Sequence, residues 1–329
     1  MRHGGDLTQA AERYGTDAAG WLDLSTGINP HAWPVPQALR QADWTRLPSE
    51  ADLAALLAAA RRAYAVPTTA GIVAAAGTQA LIQWLPRLAA PGPVAIVGPT
   101  YGEHAASWRA AGFDAREVAS LKEAAGAHHA VIVTPNNPDG RVASRADLLA
   151  AAAHCAASGG WLVVDESFAD VDPGCSLVPA LSDLPAIVLR SFGKFYGLAG
   201  LRLGFAVAPP ALAAGLERAM GPWAVSAPAL AVGTAALADT GWAASMRGQL
   251  ARESAALDTV LAAAGLAVIG GTGLYRLARH PGAADLHAAL AARHIWTRRF
   301  DWAPDLLRFG LPPDGAGLDR LAAALALAR

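Results

Sequence analysis

Short, unbroken apolar runs recur along the first two-thirds of the chain, and each ends in polar or turn-forming residues. They lie at 72–76, 94–97, 130–134, 161–164 and 187–191. Alanine-rich segments of helical character separate them, at 52–64, 80–88 and 147–157, with another helix beyond His104. Runs that are apolar throughout, rather than alternating, suit strands covered on both faces. Their alternation with helices predicts a mostly parallel sheet with right-handed crossovers, and so an α/β fold. One more run, 203–207, returns after 187–191 across a glycine-punctuated turn.

After Val207 the pattern changes. Helices are predicted at 210–220, 224–238 and 241–264, with Gly221 and Pro222 splitting the first two. Shorter strands follow at 266–269, 273–277, 295–298 and 306–311, with helices at 284–293 and 317–327. Upstream, a short strand at 21–24 runs into a turn that continues to Pro30. The division this predicts is an N-terminal arm and part of a small domain at 1–45, a large domain at 46–240, and a smaller α/β C-terminal domain at 241–329.

Composition narrows the function classes. A chain of 329 residues, 53% of them hydrophobic, has ample core for two such domains. A formal net charge of −1 argues against a nucleic-acid protein. The longest apolar run, 223–238, is interrupted by Pro228 and stops at Asp239, so a buried helix is expected rather than a membrane span. The start has no apolar signal segment, and the two cysteines, Cys155 and Cys175, make no disulfide framework. Both features point to a reducing, cytoplasmic setting. His128–His129 and His154–Cys155 lack metal-ligand spacing, and no metal is expected.

The candidate chemical residues all fall just past strand ends, where open α/β sheets bind ligands. Lys194 follows the run 187–191, with Ser191 three residues before it and Arg202 eight after it. Gly77 and Thr78 join a strand to a helix start, a natural phosphate seat. Asp165 closes another run, and a buried carboxylate needs a cationic or donor partner. Tyr101 and Asn137 follow two further strands. Taken singly, each has an ordinary structural role: a surface lysine, a helix cap or core ion pair for Asp165, a core aromatic, an Asn-Pro turn.

In this order the residues resemble the fold-type I pyridoxal phosphate enzymes, the aspartate aminotransferase superfamily. The shared pattern is Gly77-Thr78, Tyr101 after Pro99-Thr100, Asn137-Pro138, Asp165, then Ser191-x-x-Lys194 with Arg202. The resemblance implies pyridoxal 5′-phosphate as cofactor and Lys194 as the amine that bonds its aldehyde. It further implies Asp165 at the ring nitrogen, Tyr101 stacked on the ring and Asn137 at the ring oxygen. Gly77, Thr78, Ser191 and Arg202 would hold the phosphate, with His104 behind the aspartate. Lys194, Asp165 and Tyr101 are the catalytic candidates. The chain departs from the pattern twice. Phe168 stands where many members have a tyrosine that bonds the ring oxygen, and Leu47 stands where a tyrosine reaches the other subunit's phosphate.

Three further features are similar to the threonine-phosphate decarboxylase family of cobalamin biosynthesis. These are His3-Gly4-Gly5, the Ser25 turn ending in Ile28-Asn29-Pro30, and the late arginines Arg298 and Arg308. The similarity implies loss of CO₂ from L-threonine O-3-phosphate to give (R)-1-amino-2-propanol phosphate, catalysed by a homodimer. Its substrate would be held by His3, Gly4, Gly5, Asn29, Asn137, Arg298 and Arg308. Alone, His3-Gly4-Gly5 reads as a frayed terminus and the arginines as surface ion pairs. The alternative is a histidinol-phosphate-like aminotransferase acting on a phosphorylated amino acid or amine. It shares the fold and most cofactor residues but usually lacks the His-Gly-Gly start. A non-enzymatic scaffold with a vestigial fold is a third reading, against which the intact Lys194 and Asp165 count.

Overall fold

The computed structural model describes residues 4–15, 20–36, 39, 44–181 and 185–328. It divides into a larger unit, Ala32–Asn137 with Arg141–Ala244, and a smaller one, Met1–His31, Pro138–Gly140 and Ser245–Arg329. In chain order the strands are β1 (Leu22–Asp23), β2 (Gly71–Ala75), β3 (Val94–Val97), β4 (Ala115–Val118), β5 (His129–Val133), β6 (Leu162–Asp165) and β7 (Ala186–Ser191). They continue as β8 (Gly204–Ala208), β9 (Ala267–Thr272), β10 (Tyr275–Arg279), β11 (Ile295–Trp296), β12 (Arg298–Phe300) and β13 (Ala303–Gly310).

In the larger unit seven strands form one sheet in the order β2-β8-β7-β6-β5-β3-β4. Six point the same way, and β8 alone runs antiparallel to its neighbours β2 and β7. The fold is therefore the mostly parallel α/β sheet that the apolar runs predict. The sequence pattern missed β4, which forms the sheet edge. Its Arg116 and Glu117 are exposed, so it never reads as an apolar run. Helices also start where caps dictate. Ser49 and Asp52 form a capping box, so that helix is Glu50–Ala63. Pro228 does not break a helix but sits in the first turn of Ala227–Ala238, where a missing N–H costs nothing.

Side-chain alternation decides which residues share a face of the sheet. Val73, Ile96, Val131, Val163, Ile187, Leu189 and Ala206 pack in one cluster with Leu81, Leu85 and Trp108 from the helices Thr78–Leu88 and Glu103–Ala110. Val133, Asp165 and Ser191 continue three of those strands two residues on, and so face the same side. Glu166 and Arg190 fall on the other side.

In the smaller unit β1 pairs with β11 in parallel, and β12-β13-β10-β9 form an antiparallel sheet. The predicted single strand at 295–298 is two strands in different sheets. The chain switches at Thr297, which is buried and shares a 2.8 Å hydrogen bond with His287 Nδ1. Among the described residues no helix is long and apolar enough to cross a membrane, and no cluster of His, Cys, Asp and Glu is arranged to hold a metal ion.

Candidate active site

A single pocket in the larger unit is lined by Gly77, Thr78, Tyr101, Asn137, Asp165, Ser191, Lys194 and Arg202, together with Gln79, Ser167 and Phe168. All eight residues expected at a cofactor are thus brought together. The reason is topological. The ends of β5, β6 and β7 lie side by side, and register aligns Ser191 with Gly204, and Gly204 with Ala75, just before Gly77.

Asp165 is 3% exposed and enters the pocket already hydrogen-bonded. His104 Nε2 lies 2.9 Å from Oδ2, while the Ser167 N–H and hydroxyl donate to Oδ1 at 2.9 and 2.6 Å. Burial raises the carboxyl pKa, but these donors outweigh it and leave the group below its ordinary value. The site therefore holds a carboxylate, not an acid.

At the other end, Gly77 takes φ +82° ahead of the helix Thr78–Leu88 and offers no side-chain cap. The helix's first N–H groups and its positive dipole end remain for an anion. A Cβ at Gly77 would stand 2.6 Å from the Arg202 guanidinium, so only glycine leaves that guanidinium its place. Arg202 itself is held in the left-handed region at φ 54°, an uncommon conformation for a side-chain-bearing residue, and donates to the Ala199 carbonyl at 3.1 Å.

Tyr101 donates its hydroxyl to Gln79 Oε1 at 3.2 Å, and Gln79 Nε2 donates to Glu103 at 3.1 Å. Burial, with Glu103 and Asp165 nearby, pushes the phenol pKa up to about 12, so the ring is neutral and fixed at its tip. Beside Asn137, Asn136 accepts from Thr100 Oγ1 at 2.6 Å and donates to the Pro99 carbonyl at 3.1 Å, tying together the turns after β3 and β5. The Lys194 ammonium lies 5.9 Å from the Phe168 ring centroid.

Beneath this floor, on the opposite sheet face, Arg190 binds Glu166 at 2.8 Å, contacts Asp170, and lies 4.5 Å over the Tyr64 ring. Glu166 and Arg190 immediately neighbour Asp165 and Ser191 in the chain, so the pair clamps the two strand ends that carry site residues. Sequence reasoning missed this pair, as it missed Ser167, Gln79 and Asn136. Only Ser167 has a local signal, since a donor two residues after an aspartate is turn chemistry.

The smaller unit holds the remaining expected residues except His3, which lies outside the described residues. Gly5 N–H donates to Ser25 Oγ at 2.9 Å, and a Cβ at Gly4 would come within 2.4 Å of the Ser25 carbonyl oxygen. That same carbonyl accepts from Arg308 at 2.7 Å. Arg308 is 6% exposed, lies 4.9 Å over the Tyr275 ring, and pairs in register with Arg298. Burial, partly offset by Tyr275, and the facing Arg298 pull its pKa down to about 10; burial lowers Arg298 also. Two cations forced together in a dry place favour an anionic ligand. Asn29 is buried, and its Oδ1 accepts from the His31 N–H at 2.9 Å.

The larger unit's pocket pairs an anion seat at Gly77, Thr78, Ser191 and Arg202 with a buried carboxylate, an amine and an aromatic face. That set fits pyridoxal 5′-phosphate: a phosphate, a basic ring nitrogen, an aldehyde and a flat ring. Fold and site together define a fold-type I pyridoxal phosphate enzyme. The chain belongs to the aminotransferase class I and II family, whose sequence model matches residues 41–325. It is 48% identical to a threonine-phosphate decarboxylase from Sinorhizobium sp, covering 98% of this chain and 97% of that one. It is 43% identical to a threonine-phosphate decarboxylase from Pseudomonas aeruginosa, covering 99% and 97%. In fold it matches the histidinol-phosphate aminotransferase of Sinorhizobium meliloti, solved in complex with pyridoxal-5′-phosphate, with a TM-score of 0.85 and 22% identity over 98% of this chain and 94% of that one.

Proposed function

We propose that this chain is a pyridoxal phosphate-dependent threonine-phosphate decarboxylase, releasing CO₂ from L-threonine O-3-phosphate in cobalamin biosynthesis. The observation that carries the reading is the 48% identity to a threonine-phosphate decarboxylase over 98% of the chain. Gly4 and Gly5 seated on Ser25, whose carbonyl binds Arg308, agree with it.

Each residue then has a task. Lys194 supplies the amine that holds the cofactor, and moves protons at the reacting carbon. When bound, the cofactor's pyridinium ring supplies the electron sink for the pair left as the bond to the carboxylate breaks. Asp165 would hold the proton on the ring nitrogen, and His104 holds Asp165. Tyr101, steadied by Gln79, would offer its ring to the cofactor. Asn137 would donate to the ring oxygen, while Gly77, Thr78, Ser191 and Arg202 would hold the cofactor phosphate. Arg308 takes the substrate carboxylate, and Arg298, His3, Gly4, Gly5 and Asn29 take its phosphate end. Gripping both anionic ends of the substrate would fix which bond at its α-carbon is presented for cleavage. Binding energy from the remote phosphate maintains that pose.

The test is direct. Purified protein given threonine phosphate should release one CO₂ per amine formed with no 2-oxo acid present; a requirement for an oxo acid, with no CO₂, would establish the aminotransferase instead. In the same assay Arg308→Ala should weaken the substrate about 30- to several-thousand-fold, the usual cost of breaking a buried charge pair. It should weaken the carboxylate-free product far less; equal losses for both would remove Arg308 from the carboxylate.

The homodimer and the cytoplasmic setting belong to the same proposal. Trp44, Leu47 and Trp223 are 76%, 61% and 59% exposed, apolar surface that a second copy of the chain could cover. The free thiols Cys155 and Cys175 suit a reducing compartment. Sedimentation equilibrium giving a monomer at micromolar concentration would count against the dimer.

A further inference from the structure

Asp165 accepts from two side chains and one backbone N–H. One side chain, His104, already bonds Oδ2 at 2.9 Å. The Ser167 backbone N–H bonds Oδ1 at 2.9 Å, closing the turn that follows β6. The Ser167 hydroxyl then returns to the same oxygen at 2.6 Å. Alanine at 167 would keep the turn and lose only this last bond. The hydroxyl is therefore not what shapes the chain here.

Its position suggests another use. Ser167 is 8% exposed and lines the same pocket as Asp165 and Lys194. A carboxylate facing a ring nitrogen shares one proton with it. Burial favours the neutral acid, which would draw that proton onto Asp165, whereas each donor to the carboxylate favours the ion. The neighbouring Phe168 contributes an apolar ring and no donor, so the polar control in this segment rests on Ser167. A charge-assisted bond of 2.6 Å is in the short, strong range.

We propose that Ser167 is a positioning residue: its hydroxyl, donating to Asp165 Oδ1, orients the carboxylate and keeps the shared proton on the cofactor's ring nitrogen. The inference rests on the pyridoxal phosphate reading of the site.

The experiment uses holoenzyme reconstituted with pyridoxal phosphate carrying ¹⁵N in the ring, and reads the ring-nitrogen chemical shift by NMR. Unaltered protein and Ser167→Thr should show the shift of a protonated ring nitrogen. Ser167→Ala should move toward the unprotonated value, and Ser167→Cys, with its weak donor, should follow Ala. kcat on threonine phosphate should fall about 10- to 100-fold in Ala and Cys, the size of a hydrogen bond to a charged group, with KM changed less than about twofold. An unchanged ¹⁵N shift in both Ala and Cys overturns the proposal, as does a Thr variant that behaves like Ala. Unaltered protein that binds no labelled cofactor overturns the cofactor reading itself, and this proposal with it, before any variant is compared.

Discussion

Lys194→Ala protein is expected to bind pyridoxal phosphate but to lose all of it on borohydride treatment and denaturation, and to turn over threonine phosphate about 10²–10⁴-fold more slowly. Lys194 is the one amine in the pocket lining, close to Phe168 and placed by the short helix Phe192–Phe195 that follows β7. Borohydride reduces a lysine–aldehyde linkage to a stable amine, so unaltered protein should carry the cofactor on one tryptic peptide. The turnover loss is the usual contribution of a positioned proton-transfer group. Labelling that survives in the Ala variant would place the linkage on another lysine. The phosphate contacts proposed for Thr78, Ser191 and Arg202, which line the same pocket, would not need Lys194, which is why binding without fixing is the expected result.

Asp165→Asn should be the second most damaging change, lowering kcat by about two to nearly four powers of ten. The side chain keeps its size and its turn with Ser167, but the charge proposed to face the ring nitrogen disappears. Removing one member of a buried pair costs about 3–5 kcal/mol, and each 1.4 kcal/mol is tenfold. His104 would also face an amide instead of a carboxylate across 2.9 Å. The measurement is kcat with thermal unfolding recorded alongside. Near-normal turnover in a folded variant would show that the carboxylate serves only the structure.

Most of the residues expected at the cofactor were readable in order because they follow strands, and strand ends show in the sequence as the close of an apolar run. Asp165 after Leu162–Val164 and Ser191 after Ile187–Leu189 are examples, brought near each other because β6 and β7 are neighbours with Asp165 opposite Leu189. Arg202 instead precedes β8, and Arg298 and Arg308 lie within β12 and β13. The Ser-x-x-Lys spacing is local chemistry too, carried across one short turn. Other boundaries slipped where a local rule met a tertiary one. The 295–298 segment is apolar enough to read as one strand, yet His287 and Thr297 meet inside the smaller unit and the chain changes sheets there.

The residues that support the site were not readable, because their partners are distant in sequence. Gln79 meets Tyr101 across 22 positions, Asn136 meets Thr100 across 36, and Arg190 meets Glu166 across 24. Nothing in the composition around them marks those partnerships. By itself, then, the sequence determined the apolar strands, the helices between them and the reactive side chains at their ends, since these depend on periodicity and on residue type at a turn. The tertiary structure alone decided which oxygen of Asp165 receives which donor, how Tyr101 is steadied, and that Arg298 faces Arg308 on one pair of strands. Hydrogen bonds and charge pairs are short-range and directional, so they exist only once packing has brought particular atoms within about 3 Å.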